Sequence, residues 1–185
     1  MWKSLKLLKW NLQDKYGRLL YYQYFTRDLP GTFGERVRMK LLSKYFESCG
    51  DLVIIYQGVR FRGIHKLNVG SGVHIGVDNF IQASGGVTLG DDVMLGPGVK
   101  IWSVNHKSDR LDIPISQQGY DYKSVHIGSG TWLGANVFVM PGVDIPEGCI
   151  VSAGSVVGIK KYPPYSILAG NPCRVIGTRK PDTKK

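Results

Sequence analysis

The sequence predicts an all-β solenoid of short parallel coils, with helices ahead of it and one extended loop leaving it. Three observations carry that reading. A six-residue period runs through most of the chain. Glycine makes up 24 of 185 residues, a load that a helix bundle would not carry at roughly 1 kcal/mol for each helix-interior glycine. And the period is too short for a series of β-hairpins, which excludes a sandwich.

The N-terminal third lies outside the repeat. Residues 2–25 read as a helix with Trp2, Leu5, Leu8, Leu12, Tyr16 and Leu19 toward one side, and Lys3, Lys6, Lys9 and Arg18 elsewhere around it. A second helix is expected from about Glu35 to Phe46, with Gly50 beyond its end. Such helices would cover the open end of the solenoid. A basic amphipathic helix with Trp and Tyr also suits a peripheral membrane contact.

The repeat follows. From Ile127 the chain reads IGSGTW, LGANVF, VMPGVD, IPEGCI, VSAGSV and VGIKKY. Upstream, VGSGVH, IGVDNF and IQASGG begin at Val69, and after a two-residue slip LGDDVM, LGPGVK and IWSVNH begin at Leu89. Two weaker units, IYQGVR and FRGIHK, begin at Ile55. Positions five, six and one alternate in, out, in along a short strand. Positions two to four turn a corner, where Gly90, Gly96, Gly128 and Gly134 are expected to supply backbone angles that a Cβ resists. Three sides of six residues make about 18 per coil. Residues 18 apart then stack: Trp132 on Ile150, Phe138 on Val156, His126 on Asp144. Two of these outward columns are apolar, which marks buried surface between copies and suits a cyclic assembly.

The organisation is thus a helical region over 1–51, a solenoid over 52–177 and a basic tail over 178–185. The period breaks at Asn105-His106, and residues 107–124 (KSDRLDIPISQQGYDYKS) carry none of it. A loop of that length leaving a regular solenoid is a functional candidate. His106 is expected to point outward at its foot.

The net charge of +10 sits at the ends. Residues 1–66 hold 13 Lys/Arg against 5 Asp/Glu, residues 67–159 hold 4 against 8, and residues 160–185 hold 7 against 1. A nucleic-acid binder would carry its basic stripe on the body. Basic ends suit a phosphate-bearing ligand or an anionic membrane surface. Cys49, Cys149 and Cys173 are odd in number and far apart, which fits a reducing cytosol. No apolar run reaches the about 20 residues of a membrane span. Lys3, Lys6 and Lys9 interrupt any signal-peptide core. A cytoplasmic protein is expected, with its helices possible visitors to the inner membrane face.

Several segments together resemble the hexapeptide-repeat family of left-handed β-helices, in its sugar- and antibiotic-modifying acetyltransferase branch. They are Asn105-His106 before the loop, Pro114-Ile115 and Gln118-Gly119 within it, and Trp132-Leu133-Gly134-Ala135 after it. Pro141-Gly142-Val143, the run Ala153 to Val157 and the run Gly170 to Ile176 complete the set. The resemblance covers residues 52–177 and implies the handedness. It implies an acetyl-CoA-dependent O-acetyltransferase acting on a saccharide hydroxyl, in surface-polysaccharide biosynthesis, as a homotrimer with sites between subunits. Asn105 and His106 would be catalytic, His106 as general base, a task that suits an imidazole near neutral pH. The backbone N–H of Ala135 would bind the oxyanion. Trp132, Ala135 and Ala153 would flank the acyl donor, and Lys160, Lys161, Arg174 and Arg179 would meet its phosphates. Gln82, Ser84, Asp109, Asp112 and Tyr120 are acceptor-side candidates, and a lipid-carrier-linked acceptor would suit the N-terminal helix. One departure stands out: the connection Val157 to Pro163 is a residue longer than the family's, with Gly158 where a Thr is usual, so that contact is not carried over.

Three rival functions share the fold. N-acetylation of a nucleotide-linked amino sugar usually comes with an added nucleotide-binding domain, and no glycine-rich fingerprint precedes Ile55. A zinc carbonic anhydrase needs three convergent histidines. His74, His106 and His126 are the candidates, but the close pair such sites use is missing, so no metal ligand is assigned. A scaffold without activity leaves Trp132 and the Gly-Asn-Pro segment unexplained.

Overall fold

The structure, a computed structural model, describes residues 2–179, with side chains for all of these except 2–5 and 8. Trp2, Leu5 and Leu8 of the expected helical stripe, and residues 180–185 of the basic tail, therefore lie outside the described side chains.

The N-terminal region is three helices, not two: α1 (Trp2–Gln13), α2 (Lys15–Thr26) and α3 (Gly31–Leu42). The single helix expected over 2–25 breaks at Asp14. The Asp14 carboxylate caps α2 by accepting from the Gly17 N–H at 2.6 Å, the role for which Asp is favoured at a helix start. Gly17 lets the two helices meet closely, since a Cβ there would lie 2.1 Å from the Asn11 carbonyl oxygen. Arg18 then donates to the carbonyls of Leu12 (3.1 Å) and Gln13 (2.8 Å), which the end of α1 leaves unpaired. Of the expected apolar stripe, Leu19 is buried, whereas Leu12 and Tyr16 remain exposed. Helix α3 starts four residues earlier than expected, behind Pro30, and ends in a short 3-10 turn, Ser43–Tyr45. No helix of the described residues is long and apolar enough to cross a membrane.

One buried arginine joins the helices to the solenoid. Arg38 is 1% exposed. Its Nε donates to the Ile55 carbonyl at 2.9 Å, and its Nη1 to those of Thr26 (3.0 Å) and Leu29 (2.7 Å). These carbonyls end α2 and open the first coil, so a single side chain satisfies groups that burial would otherwise orphan. Desolvation pushes the Arg38 guanidinium below its ordinary pKa.

The solenoid has three faces of parallel strands. Face 1 stacks Ser48–Cys49, Leu67–Val69, Val87–Leu89, Val125–Ile127 and Asp144–Ile145. Face 2 stacks Ile54–Ile55, His74–Ile75, Met94–Leu95, Trp132–Leu133, Ile150–Val151 and Ser166–Ala169. Face 3 stacks Arg60–Arg62, Phe80–Gln82, Lys100–Trp102, Phe138–Val139 and Val156–Val157. A last strand, Arg174–Thr178, turns back antiparallel beside Ser166–Ala169. The first strand precedes residue 52 because Cys49-Gly50-Asp51-Leu52-Val53-Ile54 is itself a unit, with Cys in the aliphatic place. The expected stacking holds: Trp132 pairs with Ile150, Phe138 with Val156 and His126 with Asp144.

Position-one side chains such as Ile101, Ile127, Leu133, Ile145 and Val151 are fully buried, each stabilising by about 1.5–3 kcal/mol. Asn79 departs from this apolar bore. It is 0% exposed, and neither its Nδ2 nor its Oδ1 has a partner.

The corner glycines act differently from expectation. The positive φ falls at position four, on Gly72, Gly98, Gly130, Gly142 and Gly154, and also on Asp78, Asp92 and Asn136. The position-two glycines are required by stacking instead. A Cβ on Gly96 would lie 2.9 Å from the Ala135 nitrogen, and one on Gly134 would lie 2.7 Å from the Ala153 nitrogen. Successive coils come together at these corners, backbone against backbone.

Candidate active site

The coil sequence fixes where the candidate residues fall. The chain runs face 1, face 2, face 3 and back to face 1. Residues 103–124 leave at the edge between faces 3 and 1, whereas Ala135 turns the edge between faces 2 and 3.

The loop is not patternless. Val104–His106 pairs antiparallel with Tyr120–Tyr122, and a 3-10 turn, Ile115–Gln117, sits near its tip. Alternating apolar and polar residues over three positions are too few to signal a hairpin. His106 therefore stands on this hairpin and not on a solenoid strand, but it is exposed at the loop's foot as expected. Tyr120 is its cross-strand partner, with ring centroids 4.7 Å apart. Asn105 faces Asp121 across the same hairpin, and Asp121 pairs with Lys123 at 2.8 Å, which raises the Lys123 pKa.

Gln82 and Ser84 lie beneath this hairpin. The Ser84 hydroxyl donates to Gln82 Oε1 at 2.7 Å, and the Ser103 hydroxyl donates to the Gln82 carbonyl at 2.6 Å. Asp109 and Asp112 sit farther out and are exposed. Asp112 is held by Arg110, whose guanidinium keeps the carboxyl below its ordinary pKa. Sequence reasoning did not single out Trp102, which packs against Phe80 (4.9 Å) and Phe138 (5.9 Å) to make an aromatic ladder on face 3. The spacing of 22 and 36 residues between these aromatics was the available signal.

At the other edge, Trp132 is 46% exposed on face 2. It lines a shallow groove of about 270 Å³ with Tyr56, His74, Met94 and Pro97. Among the described residues the Ala135 N–H donates to no acceptor. Ala153 is exposed one rung on, its neighbour Gly154 donating to the Ala135 carbonyl at 2.8 Å. Lys160, Lys161 and Arg174 are exposed and form no ion pair among the described residues. Arg179 is engaged: its Nη1 donates to the Gly148 carbonyl at 2.8 Å. In the Val157 to Pro163 connection Tyr162 turns inward, buried, with its hydroxyl donating to the Gly158 carbonyl at 2.9 Å. A free amide beside a flat aromatic, with unpaired cations toward the last coil, fits a thioester donor bearing phosphates.

His74 lies on face 2, His126 on face 1 and His106 on the hairpin, so the three histidines do not converge. Among the described residues no group of three His, Cys, Asp or Glu could hold a metal ion. His126 meets Asp144 at 2.7 Å on the surface.

The family model for bacterial transferase hexapeptide repeats matches residues 124–158. A Staphylococcus aureus protein carrying an acetyltransferase name is 36% identical over 142 residues, spanning 75% of this chain and 68% of its own. A Saccharomyces cerevisiae protein named likewise is 38% identical over 150 residues, spanning 77% of this chain and 71% of its own. Among solved structures, a maltose O-acetyltransferase from Clostridium difficile superposes with TM-score 0.72 at 25% identity, covering 92% of this chain and 91% of that one. A galactoside acetyltransferase in complex with coenzyme A superposes with TM-score 0.69 at 27% identity, covering 92% and 82%. The chain belongs to the hexapeptide-repeat acetyltransferases. Its solenoid is the left-handed parallel β-helix of that family.

Proposed function

We propose that this protein is an acetyl-CoA-dependent O-acetyltransferase of a saccharide hydroxyl, working in surface-polysaccharide biosynthesis as a cytosolic cyclic trimer. One arrangement carries the reading. His106 and the unpaired Ala135 N–H stand on different edges of one prism, so each chain offers two half-sites that a rotation-related copy can bring together. The apolar columns Trp132–Ile150 and Phe138–Val156 supply the surface for that contact.

Acetyl-CoA supplies the activated acyl group. His106 takes the proton of the sugar hydroxyl as that oxygen attacks the thioester carbonyl. The Ala135 N–H of the adjoining copy holds the developing oxyanion. His106 then returns its proton to the departing thiolate. Asn105 and Tyr120 keep the imidazole and the acceptor oriented, with Gln82, Ser84 and Asp109 on the acceptor side. Asp112 and Arg179 act less directly, since Arg110 and the Gly148 carbonyl already engage them. Trp132 and Ala153 flank the pantetheine arm, and Lys160, Lys161 and Arg174 meet the phosphates. The exposed Leu7, Trp10, Leu20, Tyr24 and Phe25 let the helices rest on a membrane that presents a lipid-linked acceptor.

The test is coenzyme A release from acetyl-CoA across a panel of sugars. Thiol release that requires a hydroxyl sugar is expected. Release only with amino sugars linked to nucleotides would move the reading to N-acetylation.

A further inference from the structure

Two arginines stand near the acceptor side without an ionic partner. Arg60 and Arg62 project from face 3, flanking the buried Phe61, and both guanidinium groups lie over the Phe80 ring, at 5.8 and 5.9 Å. Among the described residues neither has a carboxylate within ion-pair distance. Asp28 lies near enough to feel Arg60, but it is already bonded to Arg27. With Leu20, Tyr24, Arg27 and Phe80, the pair lines a groove of about 250 Å³ between α2 and face 3.

The groove lies on the column that leads to the hairpin. Arg62 pairs with Gln82, and Gln82 pairs with Trp102, immediately before the residues that carry His106. Rungs are about 4.8 Å apart, so Arg62 lies about 10 Å along the face from Trp102. That is the span of a sugar ring with a phosphoryl group on its anomeric oxygen. Lys66, on the corner below, reaches the hairpin as well, its Nζ over the Tyr122 ring at 6.0 Å. Arg27, Arg60, Arg62 and Lys66 belong to the basic first third, 13 Lys/Arg against 5 Asp/Glu over residues 1–66, and the groove sets that charge beside a body with 4 Lys/Arg against 8 Asp/Glu over residues 67–159.

Building on the saccharide reading above, we propose that Arg60 and Arg62 bind the phosphate or diphosphate ester of an activated sugar, whose hydroxyl is thereby presented to His106. Arginine suits this task because its fork donates to two phosphate oxygens at once. The stems, packed on Phe80, hold the forks partly preorganised. The shared chemistry is a diphosphate ester, from either a nucleotide-linked or a prenyl-linked sugar.

The test uses the full chain with excess coenzyme A, so that the donor cations are occupied, and titrates inorganic pyrophosphate by calorimetry. Binding is expected to weaken about tenfold or more in R60Q/R62Q and to stay unchanged in R36A, which removes an exposed arginine on α3. The Gln stems remain on Phe80, so thermal unfolding should match the wild type. Equal pyrophosphate binding by the wild type and R60Q/R62Q would overturn the proposal. Uridine diphosphate and geranyl diphosphate are then added as competitors. Displacement by one of them supports the site and identifies its source, whereas displacement by neither contradicts it. Acetyl transfer to free sugars by the wild-type chain, measured separately, reports on the saccharide reading, so the two readings can fail independently.

Discussion

At the scale of single residues, the side chains proposed to serve chemistry stand apart from those that serve the fold. His106 is exposed, with its ring against Tyr120 on the hairpin, so its loss should spare the core. His106→Ala is expected to lower acetyl transfer about 100-fold or more with an unchanged unfolding midpoint. Activity within threefold of wild type would remove His106 as the base. Asn79 offers the opposite case. It occupies the fifth position of its unit, stacked between Val59 and Val99, with both polar atoms unpaired. Asn79→Val should raise stability by about 1–3 kcal/mol, because a buried unsatisfied amide is replaced by the side chain of its neighbours. A lowered midpoint would mean that Asn79 holds a buried partner. The sequence made His106 conspicuous, since it breaks the period, but not Arg38. Nothing in the helical pattern distinguishes an arginine that satisfies buried carbonyls from one in solvent.

At the scale of elements, the period was legible because burial enforces it: every sixth residue enters the bore, whatever else the unit contains. The corners were read correctly in place and wrongly in cause. Composition shows glycine at position two but not the neighbouring coil that excludes its Cβ. Gly134→Ala and Gly154→Asn distinguish the two causes. The first drives a Cβ to 2.7 Å from the Ala153 nitrogen, an overpacking of backbone by backbone expected to cost about 3 kcal/mol. The second places a side chain in open space at a φ of +71, and Asn136 already occupies the equivalent position, so its cost should stay near 1 kcal/mol. Chemical denaturation of both variants should preserve that order, and a reversed order would return the glycines to a purely conformational role. The break between α1 and α2 was hidden for a related reason. Asp14 reads equally as an exposed helical residue or a cap, and only the approach of Gly17 to Asn11 decides between them.

At the scale of the whole molecule, the solenoid is a ruler that sets His106 and Ala135, the proposed base and oxyanion donor, on separate edges. The loop's departure point and Ala135's corner were both fixed by counting, so their separation was contained in the sequence. The hairpin that lifts His106 was not, because three-residue strands carry too little pattern. Assembly then becomes a requirement of the proposed chemistry. A stable trimer is expected by light scattering at micromolar concentration, and Phe138→Lys should weaken it by breaking the apolar Phe138–Val156 pair and setting a second charge beside Lys100. A stable monomer would contradict sites shared between copies. The most direct test mixes two inactive variants. Ala135→Pro removes the proposed oxyanion donor while keeping the turn, since Pro97 and Pro141 hold the same position in neighbouring units. His106→Ala removes the base. Reassociated at equal amounts, the two should recover about one quarter of wild-type activity, because that share of random cyclic interfaces joins an intact His106 to an intact Ala135. Mixed trimers that form, verified by differential mass tags, yet stay inactive would contradict the account.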